Sequence, residues 1–116
     1  MLYKHTLDVT KGNHLIHNNL GNIYYRERKT AEAVYHYNEA LRINPGNAFA
    51  HNNLGAALIQ DGKIERAIFH FQEALRIKPD FIVANKNLKN TLKFKNDKLK
   101  NNDVNLYDRI CRSSNL

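Results

Sequence analysis

The chain has 116 residues, of which 42% are hydrophobic and 25% charged, and its formal net charge is +7. This length suits one domain, and the sequence contains no run of about 18 apolar residues that could span a membrane. Cys111 is the only cysteine, which excludes an internal disulfide and predicts a reducing, cytoplasmic location.

The first segment, residues 1–13, has the pattern of a later part of the chain. Residues 3–13 align on residues 37–47 without a gap. We therefore expect residues 1–13 to form the second helix of a partial repeat. Such an end would expose Leu2 and Leu7, so we expect the chain to form a homo-oligomer through it.

Residues 14–47 and 48–81 are two copies of one 34-residue unit, with 14 identical positions. The identities include His-Asn-Asn-Leu-Gly at 17–21 and 51–55 and Glu-Ala-Leu-Arg-Ile at 39–43 and 73–77. Such a period is typical of a helical array in which each repeat packs on the next.

Each unit is predicted to contain two helices. In the second unit, Leu54 and Leu58 lie at helical spacing. Gly62 can adopt the left-handed backbone that ends a helix, and Pro79 ends the second helix. The first unit has Arg28 where the second has Gly62, so Arg28 must accept that geometry or the turn must differ.

Small and aromatic residues are predicted to set the helix packing. Glycine in mid-helix costs about 1 kcal/mol of helix stability relative to alanine. We expect Gly21 and Gly55 to be tolerated because the backbone of another helix passes close to them. Tyr37 and Phe71, one repeat apart, are expected to fill the gap between adjoining hairpins.

A third unit begins after Pro79 but has no second helix. We predict a capping helix at 82–101 with an apolar stripe, followed by a short helix or disordered tail at 102–116. The stripe comprises Phe81, Ala84, Leu88 and Leu92, and Leu99 is expected to extend it. Residues 76–116 carry 10 Lys or Arg against 4 Asp or Glu, as expected of a helix whose outer face meets solvent.

The 34-residue unit resembles the tetratricopeptide repeat (TPR). The resemblance rests on the early Leu-Gly, the recurring Ala, the aromatic residue four positions later and the closing Pro. The resemblance covers residues 14–81. It departs at His17 and His51, where the family has tryptophan, and at Leu58, where it has tyrosine. It implies an all-α solenoid of antiparallel helix pairs, whose first helices line a concave groove that holds extended peptides.

The resemblance places a set of polar residues in this groove, and we predict that they bind a peptide. Asn19, Asn53 and Asn87 recur at 34-residue intervals, and a row of carboxamides can pair with both groups of a peptide bond. This row resembles the asparagine ladder of the O-linked N-acetylglucosamine transferases. The predicted peptide-binding residues are Asn18, Asn19, Asn22, Asn52, Asn53, Lys86, Asn87 and Asn90, with Ala56 beside them.

Other uses of the groove have less support in the sequence. A second family function is a clamp for the terminal carboxylates of chaperones. Asn22 and Asn53 occupy two of its places, but its cationic places hold Asn18, Val83 and Asn87, and carboxylates gain little there without cations.

No metal, cofactor or catalytic role is predicted. His17 and His51, like His36 and His70, are one repeat apart, about 10 Å in helix packing and too far to share an ion. The sequence has no phosphate-binding glycine loop and no nucleophile with a base at motif spacing.

The leading prediction is therefore a protein or peptide partner held by a non-enzymatic interaction module. Two alternatives remain: a substrate-recruiting segment of a larger enzyme such as a glycosyltransferase, or a self-assembling scaffold. Nucleic-acid binding through residues 86–100 is a weaker alternative, because Phe94 is the one aromatic there that could stack on a base.

Overall fold

The computed structural model describes residues 13–114, with side chains described as far as residue 100. Five helices occupy this part of the chain and no strand occurs in it, so the predicted all-α helical-repeat fold is confirmed. The predicted partial repeat at residues 1–13 lies outside the described residues, except for Asn13. The helices are α1 (His14–Arg26), α2 (Thr30–Ile43), α3 (Ala48–Gln60), α4 (Ile64–Ile77) and α5 (Ile82–Ser114). Each helix packs against the next in chain order, and α1 also contacts α3.

Asparagine caps begin the first helix of each repeat. The Asn13 carboxamide oxygen accepts from the backbone N–H groups of Leu15 and Ile16 over 2.9 and 3.2 Å. Asn47 likewise accepts from the N–H of Ala50 over 3.1 Å. Because the first amides of a helix have no partner within the helix, such caps typically stabilise by about 1 kcal/mol. They fix where α1 and α3 begin.

The two hairpin turns have the same backbone despite their different residues. Arg28 has φ +62° and Gly62 has φ +76°. In both turns the next residue donates its N–H back to the preceding helix, from Lys29 to Tyr24 over 2.9 Å and from Lys63 to the carbonyl of Leu58 over 2.8 Å. The first repeat therefore uses arginine in the left-handed conformation that the second assigns to glycine.

The mid-helix glycines make room for aromatic rings. A Cβ atom on Gly55 would stand 2.5 Å from Cε1 of Phe71, and one on Gly21 would overlap the ring of Tyr37. The nearest neighbour of each glycine is thus a ring of the same hairpin, and not the backbone of another helix that the sequence analysis predicts. Each ring has space because its facing position on the first helix has no side chain.

One continuous core joins the two repeats. It consists of Ala33, Tyr37, Leu54, Ala57, Leu58, Ala67 and Phe71, each at most 1% exposed. Tyr37 comes from α2 and shares this core with residues of the second repeat, so it fills the gap between hairpins as predicted. Burying each large side chain stabilises the fold by roughly 1.5–3 kcal/mol, so the repeats stabilise one another.

The last helix, α5, covers the second repeat with a face that agrees with the predicted stripe at Ala84 and Leu88 and departs from it farther along the helix. Ala84 is fully buried, Leu88 packs on the core and Thr91 is 7% exposed. Leu92 is 39% exposed and Leu99 51%, so the predicted stripe through them was wrong. A period of 3.6 residues carries the buried face from position 84 to 88 and then to 91, and the Thr91 hydroxyl is satisfied by donating to the carbonyl of Asn87 over 2.7 Å.

Helix α5 continues without a break through position 102 to Ser114, whereas the sequence predicts a separate short helix or disordered tail from residue 102. None of the helices between residues 13 and 114 combines the length and apolarity needed to cross a membrane.

Candidate functional site

Carboxamide pairs connect the first helices of neighbouring repeats. Nδ2 of Asn53 donates to Oδ1 of Asn18 over 3.0 Å, and Nδ2 of Asn87 donates to Oδ1 of Asn52 over 2.9 Å. Each bond joins residues of two neighbouring repeats, and the acceptor residues are buried, with 9% and 6% of their surface exposed. These two bonds fix the register of α1, α3 and α5, and buried acceptors of this kind are costly to leave without a donor.

Beside these bonds, α1, α3 and α5 form two adjoining hollows, and we call this surface the first-helix face. One hollow, of about 290 Å³, is lined by Asn22, Tyr25, Arg26, Tyr37, Asn53 and Ala56. The other, of about 230 Å³, is lined by Tyr25, Ala56, Ile59, Phe71, Asn87, Asn90 and Thr91. Because Tyr25 and Ala56 belong to both hollows, the two make one path across the three helices.

The floors of the two hollows differ in polarity. In the first, the Tyr37 hydroxyl donates to Oδ1 of Asn22 over 2.6 Å, and burial raises the pKa of this hydroxyl far above its usual value. In the second, Phe71 and Ala56 occupy the equivalent positions and offer no polar side-chain atom. The two hollows therefore share asparagine walls, but the floor is polar in the first and apolar in the second.

The eight predicted residues fall into three groups. Asn22, Asn53, Asn87 and Asn90 line the hollows. Asn18 and Asn52 are buried between repeats, where they accept from the next repeat. Asn19 and Lys86 are exposed and do not line either hollow.

Tyr25 and Arg26 also line the first hollow, although neither is among the peptide-binding residues predicted from the sequence. A signal was available, because residues three and four positions after Asn22 share its helix face. Arg26 is the only charged side chain lining either hollow, and it is exposed.

The histidines pair within each repeat. Nδ1 of His17 lies 3.1 Å from Nδ1 of His36, and the same atoms of His51 and His70 are also 3.1 Å apart. Comparison of the histidines across repeats alone does not reveal these pairs. Their signal in the sequence is a 19-residue separation that recurs in both units.

A carbonyl fixes the hydrogen positions of the second histidine pair. Nε2 of His51 lies 3.0 Å from the carbonyl oxygen of Pro45 and must donate to it, because a carbonyl only accepts. In neutral His51, Nδ1 then has the lone pair and accepts from Nδ1–H of His70. Since the pair needs one acceptor nitrogen, it cannot keep this bond when both rings are protonated.

Burial opposes protonation of the outer histidines. Desolvation, followed by the charge of His51, lowers the pKa of His70 to about 4. Burial and then His17 lower the pKa of His36 as well. Within the described residues, no group of three or more His, Cys, Asp or Glu side chains could hold a metal ion.

Carboxylates are segregated away from the first-helix face. No Asp or Glu occurs in α1 or α3, whereas α2 and α4 each contain two Glu. On the outer helices, Glu39 pairs with Arg42 and Glu73 with Arg76, each over 2.8 Å. The hydrogen bond from Arg42 lowers the pKa of Glu39. The first-helix face is thus uncharged to basic over the described residues.

Comparisons with known proteins identify the repeat. A family model described as "Tetratricopeptide repeat" matches residues 12–80. The chain is similar to the solved structure of the first TPR of Spaghetti (RPAP3) bound to HSP90 peptide SRMEEVD, with 25% sequence identity and a TM-score of 0.71. That similarity covers 78% of this chain and 72% of the other. No curated protein matches the chain.

Neither match bears on the resemblance of the asparagine row to the O-linked N-acetylglucosamine transferases, which stays a prediction.

Proposed function

The chain belongs to the tetratricopeptide repeat family, and on that premise we propose that it is a non-catalytic interaction module for an extended polypeptide segment. The segment lies across α1, α3 and α5, in the two hollows of the first-helix face. It is held through its backbone by carboxamides, while the outer helices α2 and α4 support the wall from behind.

The observation that carries this proposal is the continuity of the two hollows. Four asparagines line them, and Ala56 between them leaves the path open. A carboxamide has two donor hydrogens and one acceptor oxygen. Asn53 uses one donor on Asn18, so a second donor and the oxygen remain for the N–H and C=O of a bound backbone.

The similar structure adds support for the class of ligand. The first TPR of Spaghetti (RPAP3) holds a short peptide, and its likeness to this chain makes a peptide the first ligand to test. The clamp for terminal carboxylates is not part of our proposal. Among its three cationic places, Asn18 and Asn87 are engaged in the inter-repeat bonds and Val83 is apolar.

The simplest test by substitution is confounded. Replacing Asn53 or Asn87 by alanine would also remove a donor from the buried Asn18 or Asn52 oxygen, which costs about 1–3 kcal/mol. Lost binding would then be indistinguishable from a loosened repeat. A better variant obstructs the path and leaves these bonds in place.

Ala56→Trp meets this requirement because Ala56 lines both hollows. A random linear peptide library is first selected on the wild-type chain, and the affinities of the selected peptides are then measured by calorimetry. We expect Ala56→Trp to weaken them at least about tenfold, equivalent to 1.4 kcal/mol. The matched control is Ala31→Trp, which places the same ring at an exposed site on α2.

Ala31→Trp should leave affinity unchanged, and circular dichroism should show equal helicity in both variants. Selection of no peptide, or equal binding to the wild type and Ala56→Trp, would overturn the proposed function.

A further inference from the structure

Three exposed apolar side chains form a second row on the first helices. Leu15, Phe49 and Val83 follow one another at 34-residue intervals and are 58%, 54% and 54% exposed. Because they lie in register on the three helices that form the first-helix face, they can make one contiguous apolar patch, which is typical of an interaction surface. We call them the apolar row.

The apolar row borders the carboxamides. Its members lie four residues before Asn19, Asn53 and Asn87 respectively, which puts them one turn earlier on the same face of each helix. Phe49 is held by an edge-to-face contact with Phe81, with ring centroids 5.1 Å apart. A backbone held by the asparagines would therefore pass beside the apolar row.

The charges on the three helices that form this path favour one sign of ligand. Helix α1 contains Arg26 as its one Lys, Arg, Asp or Glu, and α3 contains none. Residues 82–100 of α5 carry six lysines and one acid, Asp97. Lys95 pairs with Glu65 over 2.8 Å, and the other five lysines attract a carboxylate over α5 and repel a cation there.

From this arrangement, and resting on the proposed function, we propose that the bound segment is acidic at its α5 end and presents an apolar side chain to each member of the apolar row. The carboxamides hold its backbone, the apolar row selects its side chains, and the lysines of α5 attract its acidic end. The proposed ligand is thus a peptide with regularly spaced apolar side chains, followed by carboxylate side chains at one end.

The spacing of the repeats sets the spacing of the apolar side chains. Neighbouring packed helices lie about 10 Å apart, and a polyproline-type chain rises about 9 Å over three residues while returning to the same face. A β-strand returns to the same face every two residues, about 7 Å. The segment therefore presents an apolar residue at every third position.

Probe peptides of defined sequence test this inference. Each is a fluorescein-labelled peptide of about ten residues, which spans roughly 30 Å when extended. The reference probes have leucine at every third position, serine between, and two aspartates at one end or the other. Matched probes replace leucine by serine, move leucine to every second position, or replace aspartate by lysine.

Fluorescence anisotropy should show one reference probe binding about tenfold or more tighter than the all-serine probe, as expected from burying several leucine side chains. The every-second and lysine probes should also bind more weakly than the reference. The advantage over the lysine probe should shrink as salt is added.

Phe49 offers a matched pair of variants. Phe49→Ser should weaken the reference probe about tenfold, and Phe49→Leu should largely restore it. The control is Phe69→Ser on α4, because Phe69 is also 54% exposed and also contacts an aromatic neighbour edge-on. Leu15→Ser and Val83→Ser test the row again without the Phe81 contact, and a thermal melt of each variant checks that it is folded.

Two negative results distinguish a failure of the inference from a failure of the proposed function. If all probes bind equally, or if Phe49→Ser binds the reference as tightly as Phe69→Ser does, the inference is overturned. The proposed function survives that result when library peptides still distinguish Ala56→Trp from wild type. If no library peptide binds at all, the proposed function itself falls and the inference falls with it.

Discussion

In the first repeat the phenol of Tyr37 donates to Asn22, whereas in the second repeat the same two positions hold Phe71 and Ala56. The hydroxyl donor and its carboxamide acceptor are both absent from the second repeat, so in neither repeat does one of these polar groups face an apolar side chain. The turns differ too, with Arg28 in one and Gly62 in the other at nearly the same φ. The comparison shows that one turn conformation can hold either arginine or glycine, and that the polar pair of the first repeat is replaced as a unit by an apolar pair in the second.

The largest expected effect concerns what both repeats share, a ring facing a mid-helix glycine. Gly55→Ala forces a Cβ against the buried Phe71 ring, so we expect a loss of about 1–3 kcal/mol in the free energy of unfolding. Gly21→Ala should cost at least as much, because its neighbour Tyr37 is tethered to Asn22. Urea unfolding measures both.

Helix propensity alone predicts the opposite sign, a gain of about 1 kcal/mol for Gly→Ala. A stabilised Gly55→Ala variant would therefore contradict the packing account. Gly46→Ala, where a Cβ meets only ordinary contact at 3.4 Å, is the control and should lack this packing cost.

The histidine pairs should make stability depend on pH, more strongly in the second repeat. The folded-state pKa of His70, about 4, and that of His36 lie below the unfolded value of 6.5. Below pH 6.5 the unfolded state therefore binds more protons, and stability falls as pH decreases toward 4. We expect a loss on the order of 2 kcal/mol from His70.

The groups facing the outer rings include acids and a base. Glu39 opposes the shift at His36, and at His70 Glu73 opposes it while Arg66 adds to it. Urea unfolding between pH 7.5 and 4.5 should show that His70→Gln flattens the pH slope more than His36→Gln does. Equal slopes in the two variants would show that the second pair is no more sensitive than the first.

A smaller effect tests the paired exchange at positions 22 and 37. Tyr37→Phe and Asn22→Ala should each cost about 1 kcal/mol, since each leaves a hydrogen-bonding group without its partner. The double variant copies the second repeat and should cost less than the sum. A double-mutant cycle gives this coupling, and strict additivity would mean that the 2.6 Å bond contributes nothing to stability.

The smallest expected effect is at the turns. Arg28→Gly relieves a left-handed arginine and should stabilise the protein by about 0.5–1 kcal/mol, while Gly62→Arg should destabilise it by a similar amount. Thermal unfolding of the two exchanged variants measures both. Shifts of the same sign would indicate that the two turns are not equivalent.

Much of the fold could be predicted because it follows from regular spacing. The 34-residue period located both hairpins, and the prediction that Tyr37 fills the gap between repeats is confirmed. Position 92 was misassigned because leucine is more apolar than threonine, although the helical period favours Thr91. Only tertiary packing shows that Thr91 is buried with its hydroxyl satisfied.

The candidate site was less predictable because a residue's position on a helix does not reveal its hydrogen-bond partner. Asn18 and Asn53 both belong to the first-helix pattern, yet they bond to each other. The histidine pairs join two helices of one hairpin at a 19-residue separation, which comparison of whole repeats does not examine. Tyr25 lines both hollows only because two repeats meet there.

The most direct test of the central claim is a titration of the isotope-labelled chain with a library-selected peptide, followed by NMR of backbone and side-chain amides. We predict shifts along α1, α3 and the first half of α5, including the carboxamide signals of Asn22, Asn53, Asn87 and Asn90, with α2 and α4 little changed. Shifts concentrated on the exposed faces of α2 and α4, with those carboxamide signals unmoved, would contradict binding on the first-helix face.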